Sequence, residues 1–354
     1  FTAESGSNVV ISGGNFATGF RGFGAGVELQ GGEFKINGTD ISVLPSISLL
    51  TTAVFTGTLA DGSSFIFSGG SGDFLRDVTL TNVALPTLDT TPIVIDTPLA
   101  DRPSGLRTGQ SLTLQEGGTI GDGFGTTRST VNIDGGNIGD EFFGHAGSII
   151  NFNDGTIGND FTAGIGSEVF VSGGRIGAGF EAKASSLVRI NGGTIGRGFN
   201  AALNSDVELS GGEFQLNGQA FNGSSVSLAD GDVFTGTLED GSVFIFADEM
   251  SDSLNNVQLS STSLPGVDNT PVFVSASMPN TLNGLRAGQT LNLEQGGVID
   301  REFEAAGGVI NVNGGSFENE SAFANTTVNL NDGSFEDVAT ALAGTEVNIF
   351  GGSL

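Results

Sequence analysis

The segment Val131-Asn132-Ile133-Asp134-Gly135-Gly136 decides the fold, because the chain repeats its pattern at a step of about 19 residues. The pattern is an apolar residue, any residue, an apolar residue, a small polar residue and a glycine-containing pair. It starts again at Ile150, Val169, Val188 and Val207. Looser copies start at Val9, Val27, Ile47, Leu112, Val226, Leu291, Ile310, Val328 and Val347, which makes fourteen predicted rung starts. A short fixed period over so much of a chain indicates stacked turns.

Each rung carries its apolar residues at positions typical of short strands. In the first clear copy they are Val131, Ile133, Ile138 and Phe142. Alternation at the first two is the strand period, and the glycine pair that follows supplies the positive φ angles of a sharp corner. The sequence therefore predicts an all-β fold: a parallel β-solenoid, or β-helix, with rungs of about 19 residues, three short strands per rung and two inserted antiparallel β modules.

Stacking the rungs aligns identical side chains into columns. One predicted interior column is Ile120, Ile138, Ile157, Ile176 and Ile195, and another is Phe124, Phe142, Phe161, Phe180 and Phe199. Stacked phenylalanines bury large apolar areas, so these columns are interpreted as core packing and not as a ligand-binding aromatic strip.

A second, longer period divides the chain into two similar halves. The segment Val54 to Phe67 returns almost intact as Val233 to Phe246, which lies 179 positions later. Leu106-Arg107-Thr108-Gly109-Gln110 returns at the same offset, as Leu285-Arg286-Ala287-Gly288-Gln289. Asp61-Gly62 and Asp240-Gly241 lie between apolar alternations and indicate hairpin turns. The predicted division is solenoid rungs at 1–52, 109–231 and 288–354, with an inserted β module at 53–108 and its copy at 232–287.

Composition limits the function classes. The chain has 59 Gly and 28 Phe but no Trp, Tyr or Cys, and its net charge is −28. Forty acidic against twelve basic groups repel a nucleic-acid backbone and an anionic membrane surface. No apolar run is long enough to span a bilayer. We therefore expect neither a nucleic-acid partner nor membrane insertion.

Residues for catalysis are sparse. The chain has one histidine, His145, and two lysines, Lys35 and Lys183. The acidic pairs Glu239-Asp240 and Asp248-Glu249 are interpreted as solvated charge, because a β-helix hydrolase or lyase needs paired carboxylates or a calcium ion beside a base in a cleft. The sequence predicts no enzyme, and no catalytic, cofactor-binding or metal-binding residue is assigned.

The rung motif Asn191-Gly192-Gly193-Thr194-Ile195-Gly196-Arg197-Gly198-Phe199 resembles those of secreted parallel β-helix repeat proteins. This group includes pectin-lyase-like enzymes and adhesin-like surface proteins of bacteria. The resemblance covers about two thirds of the chain and implies an extracellular or cell-surface setting. Gly118 to Phe124 also looks a little like a calcium-binding nonapeptide, and Asp122, Asp140 and Asn159 stack at one position, so calcium stays an alternative to no cofactor.

We expect an extracellular structural protein, a β-solenoid subunit or repeat segment of a surface fibre that assembles with itself end to end and also laterally. Neither end resembles a cap, and solenoids normally need caps over their open strand edges. A second copy placed after Leu354 would put its Val9 slightly less than one rung beyond Val347. The alternative is an adhesin or carbohydrate-binding module, whose inserted β modules contact glycans or another cell surface.

Overall fold

The computed structural model describes residues 1–4, 6–14, 20–22, 26–50, 53–68, 73–98, 105–276, 284–299 and 302–354. It confirms the predicted fold class, a nearly all-β chain forming a parallel β-solenoid of about 17 turns with rungs of about 19 residues. The chain divides into two compact units. Unit 1 comprises Phe1–Val169 and Lys183–Leu187, and unit 2 comprises Phe170–Ala182 and Val188–Leu354.

Unit 1 consists of short strands. They are β1 (Thr2–Ala3), β2 (Asn8–Ile11), β3 (Arg21–Gly22), β4 (Gly26–Ile36), β5 (Thr39–Asp40), β6 (Ser46–Ile47), β7 (Val54–Leu59), β8 (Ser64–Ser68), β9 (Phe74–Leu75), β10 (Val78–Asn82), β11 (Ile93–Ile95), β12 (Gly105–Leu106), β13 (Ser111–Leu114), β14 (Thr119–Ile120), β15 (Gly125–Thr127), β16 (Thr130–Ile138), β17 (Phe143–His145), β18 (Ile149–Ile157) and β19 (Thr162–Ala163).

The rung from β13 to β15 has the three predicted strands. In the next rung the first two strands run on as the single strand β16, which pairs in parallel with β13, β14 and β18. Its register against β18 shifts at the glycine corner, between Ile133 and Asn137. Gly136 has φ +70°, and a Cβ there would lie 2.5 Å from the carbonyl oxygen of Gly118 in the previous rung. The corner therefore requires glycine for backbone geometry and for space.

A hairpin interrupts the parallel rungs of unit 1. Strands β7 and β8 pair antiparallel around the Asp61-Gly62 turn, and β7 also pairs antiparallel with the second half of β4. The hairpin side chains Phe55, Leu59 and Phe67 lie in one hydrophobic cluster with the rung residues Val27 and Leu29. The hairpin thus shares the core of the rungs.

Unit 2 repeats this arrangement. Its strands, of which β20 and β22 begin with residues of unit 1, are β20 (Glu168–Ile176), β21 (Glu181–Ala182), β22 (Leu187–Ile195), β23 (Asn200–Ala201), β24 (Asp206–Leu216), β25 (Gln219–Ala220), β26 (Ser225–Val226), β27 (Val233–Leu238), β28 (Val243–Ala247), β29 (Ser253–Leu254), β30 (Val257–Ser261), β31 (Val272–Val274), β32 (Leu285–Arg286), β33 (Thr290–Leu293), β34 (Val298–Ile299), β35 (Phe303–Ala306), β36 (Val309–Phe317), β37 (Ser321–Ala324), β38 (Thr327–Phe335), β39 (Ala339–Ala341) and β40 (Glu346–Ile349). A 3₁₀ helix, Asp248–Met250, follows β28. No helix among the described residues is long and apolar enough to cross a membrane.

In unit 2 the hairpin is β27–β28, joined antiparallel to β24. The sheets that follow it run β31, β33, β36, β38, β40 and β32, β35, β37, β39. The pairings within these two sheets are parallel. The hairpin side chains Val233, Ile245 and Ala247 cluster with Ala322 and Ala324 of β37.

Both predicted insertions contain two kinds of pairing. The hairpins are antiparallel, whereas β10 and β11 of segment 53–108, like β30 and β31 of segment 232–287, pair in parallel with rung strands. Residues 69–72, 99–104 and 277–283 of the predicted insertions lie outside the described residues.

Two predicted rung starts are wrong. Ile47 and Val226 lie in β6 and β26, which pair antiparallel with β10 and β30. The parallel rungs resume at Val78 and Val257 instead. Apolar alternation is the same in parallel and antiparallel strands, so it does not distinguish the two. The rungs that start at Val78 and Val257 also lack the glycine pair by which the other rungs were recognised.

The predicted Phe and Ile columns point into the core. Ile138, Ile157, Ile176, Phe142, Phe161 and Phe180 are at most 2% exposed. In unit 1 the centroids of Phe142 and Phe161 are 5.0 Å apart. The hairpin of unit 2 extends the Phe column, since Phe246 lies 5.2 Å from Phe199. In unit 1 the hairpin residue Phe67 packs in the same way on Phe20, at 5.1 Å.

Candidate functional site: the hairpin junctions and the terminal rung

The contact between a hairpin and the strands that follow it, here called the hairpin junction, contains a buried arginine. In unit 2 this is Arg286 of β32, whose side chain is 8% exposed. Its guanidinium donates to Glu213 Oε1 at 3.0 Å and to the carbonyl oxygen of Pro265 at 2.9 Å. Glu213, held at φ +53°, also accepts the Thr237 hydroxyl of the hairpin at 2.9 Å. One guanidinium and one carboxylate thus connect β24, β27 and β32.

The junction of unit 1 has the same parts. Arg107 lies 3.6 Å from Glu33 and donates to the carbonyl oxygen of Pro86 at 3.1 Å. Thr58 of the hairpin donates to Glu33 at 2.8 Å. In both units a glutamine, Gln110 or its counterpart, accepts the backbone N–H of the arginine at 2.8 Å. The rung pattern predicts no role for these residues; their signal in the sequence is the Leu-Arg-x-Gly-Gln motif, which recurs in the second half of the chain.

An open cleft of about 290 Å³ adjoins the junction of unit 2. It is lined by Asp240, Gly241, Ser242, Pro265, Gly266, Val267, Asp268, Gly284, Arg286 and Gln289. Its polar groups already bond within the protein: Asp240 accepts the Gly193 amide at 2.8 Å, and Gln289 donates to the carbonyl of Asp268 at 3.2 Å. The junction is therefore built to hold the hairpin.

The stacked carboxylates considered for calcium bond to backbone. Asp122 Oδ1 accepts the amide of Asp140 at 3.0 Å, and Asp140 Oδ1 accepts the amide of Asn159 at 2.7 Å. Each carboxylate thus joins its corner to the next rung. Within the described residues no group of three or more His, Asp or Glu side chains is placed to hold a metal ion.

His145 is a core residue of unit 1. It is 3% exposed, its ring stacks on Phe143 with centroids 5.7 Å apart, and its Nε2 makes no hydrogen bond. Burial, and then the charge of Lys183, lower the pKa of His145 to about 4. A Cβ on Gly164 would lie 2.6 Å from its Nδ1, so the glycine makes room for the neutral ring.

Three other residues weighed for catalysis, Lys35, Asp240 and Asp248, interact with their local surroundings. Burial, followed by the charge of Arg128, lowers the pKa of Lys35 in β4. Asp240 accepts the Ser242 amide of the hairpin turn at 2.8 Å. A hydrogen bond with the Asp230 carboxyl, and then burial, raise the pKa of Asp248.

The terminal rung of unit 2 exposes residues that inner rungs bury. Strand β40 pairs with β38, and no further strand among the described residues covers its other edge. Val347 and Ile349 are 43% and 54% exposed, whereas their register partners Val328 and Leu330 are at most 1% exposed. Phe350 and Leu354 are 74% and 75% exposed.

An asparagine ladder also reaches this edge. Asn311, Asn329 and Asn348 each donate a side-chain amide to the asparagine one rung earlier, at 2.9, 2.9 and 3.1 Å. Every amide in the ladder donates towards the earlier rung, and every amide oxygen accepts from the later one. The oxygen of Asn348 therefore faces the side on which a further rung would stack.

No family model, no curated protein and no solved structure matches this chain. Its class is therefore defined by its own architecture, a parallel β-solenoid with two hairpin junctions.

Proposed function

We propose that the chain is an extracellular structural protein, a β-solenoid subunit or repeat segment of a surface fibre that assembles end to end, in which a further rung covers the edge of β40. The observation that carries the proposal is the contrast between Val347 and Ile349, which are about half exposed, and the buried residues at the same positions one rung earlier. An unpaired strand edge with apolar side chains is a template for another strand.

The amino-terminal edge supports the same kind of end-to-end stacking. Strand β2 pairs with β4 in parallel, and its inward-facing Val9 is only partly buried, whereas its register partner Val27 is 1% exposed. Phe1 is 71% exposed although its ring stacks on Phe20 at 5.4 Å. Both edges carry parallel strands of the same rung type, so stacking would continue the backbone pairing and the apolar columns. The extracellular setting rests on the resemblance to secreted β-helix proteins.

Light scattering and sedimentation of the purified 354-residue chain test the proposal. We expect mass to rise with concentration, and Ile349→Lys to reduce the rise at least tenfold in apparent association constant, because it places a charge at the proposed interface. Val43→Lys is the matched control, since Val43 is 91% exposed in a turn outside the strands. A chain that stays monomeric at the highest concentration, or equal effects of both variants, would refute end-to-end assembly.

Adhesion to glycans through the inserted segments stays the alternative. A glycan array probed with the wild-type chain and with Ile349→Lys separates the two functions. Glycan binding that survives the substitution would favour an adhesin that works without fibre formation.

A further inference from the structure

The junction of unit 2 contains a cluster of carboxyl groups at the free edge of strand β28. Asp252 follows the 3₁₀ helix and is 3% exposed. Its Oδ2 accepts the amide of Ala247 at 2.9 Å, and its Oδ1 accepts the amide of Phe199 at 2.8 Å. Glu304 of β35, which keeps partial exposure, accepts the amide of Ile245 at 3.1 Å. The two carboxyls therefore bond alternate amides of the edge that β27 leaves uncovered.

Two further carboxylates and two arginines complete the surroundings. Arg197 pairs with Glu320 at 3.0 Å, and Arg175 pairs with Glu302 at 3.0 Å. Each arginine thus already has a carboxylate partner other than Asp252 and Glu304. The cavity between Arg197, Glu302, Glu304 and Glu320 is about 10 Å³, near the smallest volume that holds one water molecule.

This environment disfavours ionisation. Burial raises the pKa of Asp252 to about 7, although three backbone amides and Arg197 oppose the rise. Burial raises the pKa of Glu304 well above its usual range, and the charges of Asp252 and Glu302 raise it further. Both groups hold a proton in the folded junction at pH values where they are ionised in an unfolded chain.

We propose that this junction is a conformational device, in which hairpin β27–β28 is held against β35 while Asp252 and Glu304 are protonated and loosens when both are ionised. The device is separate from fibre assembly at β40. The direction follows from linkage: a carboxyl that keeps its proton when folded stabilises the folded form most below its unfolded pKa, and this stability is lost as the pH rises through its folded pKa. For Asp252 that window runs from the ordinary aspartate pKa of 3.8 to about 7.

Hydrogen exchange of the Ile245 and Ala247 amides between pH 5 and pH 7 tests the proposal in the full chain. After correction for the intrinsic exchange rate, we expect protection to fall by about tenfold per pH unit for each retained proton. Asp252→Asn should flatten this fall, and Glu304→Gln should reduce it. Glu239→Gln is the matched control, since Glu239 lies exposed at the hairpin turn, and it should leave the fall unchanged.

NMR titration of the Asp252 carboxyl in the wild-type chain keeps the test decisive even where Asp252→Asn fails to fold. A midpoint near 7, at the pH where the fall in protection levels off, supports the device. Protection independent of pH, a midpoint near the ordinary aspartate value, or an unchanged fall in Glu304→Gln would overturn it.

Discussion

The two units use the same hairpin, the same arginine and a buried aspartate at the same place, Asp73 in unit 1 and Asp252 in unit 2, but they differ in other titratable groups. Unit 1 has a neutral imidazole, His145, in its rungs, whereas unit 2 has Glu304 beside Asp252 at its hairpin junction. The residue that corresponds to Glu304 in unit 1, 179 positions earlier, is Gly125, where a Cβ would lie 2.5 Å from Ile66. Unit 1 thus packs Ile66 against a glycine, whereas unit 2 has a carboxyl at the position of that glycine. The duplicated backbone accommodates either residue.

The largest effects should come from features that the units share. Phe67→Ala and Phe246→Ala should each cost about 3–5 kcal/mol of unfolding free energy, as for a fully buried ring in a core. Both rings are at most 1% exposed, and each packs on another buried Phe ring. Denaturant unfolding measures the loss, with Phe161→Ala in an ordinary rung as the reference. A hairpin variant that loses less than about 1 kcal/mol would show that the hairpin lies outside the core.

The next prediction concerns the pH dependence of stability, which should differ between the two units. Because the folded pKa of His145 is about 4 and its unfolded value is 6.5, unfolded chains bind the proton first. Stability from this group is present above pH 6.5 and is lost as the pH falls towards 4, by about 3 kcal/mol in total.

Hydrogen exchange in β17 between pH 7 and pH 4 measures this loss, and His145→Leu should flatten it. Protection in unit 1 should therefore fall towards acid, whereas protection at the β28 edge of unit 2 falls towards neutral pH. The same direction in both units would contradict the comparison.

Glycines inside the hairpins should respond alike in the two units. A Cβ on Gly57 would lie 2.7 Å from the Phe65 ring, and a Cβ on Gly236 would lie 2.6 Å from the Phe244 ring. Because these rings are buried and rigid, Gly57→Ala and Gly236→Ala should each cost about 1–3 kcal/mol. Thermal unfolding measures both, and a cost in only one unit would show that the two hairpins pack differently.

The smallest effect concerns the junction arginines. Arg286 lies 3.0 Å from its glutamate and Arg107 lies 3.6 Å from its own. Lysine keeps the charge but loses the forked geometry, so Arg286→Lys should cost about 1 kcal/mol and Arg107→Lys less. Equal losses in denaturant unfolding would mean that the difference in distance has no energetic consequence.

Much of the fold could be predicted because the rung is a local pattern. Val131, Ile133, Ile138 and Phe142 lie within a single rung. Their spacing predicts which residues form strands and which side chains face the core, and the glycine pair predicts the turn. Ile47 and Val226 show the limit. Their alternation predicts a strand, but the pairing direction depends on β10 and β30, which come later along the chain in each unit.

The solenoid class, the interior Ile and Phe columns and the doubled unit can be predicted from the sequence alone, because each depends on side chains at a constant short interval or on direct recurrence. The contact of Arg286 with Glu213, 73 residues earlier, and that of Glu304 with the edge amide of Ile245 are visible only in the folded chain. Such contacts join segments that are not separated by the 19-residue rung period or by the 179-residue repeat. Burial then changes the protonation of a carboxyl, because desolvation depends on everything packed around it.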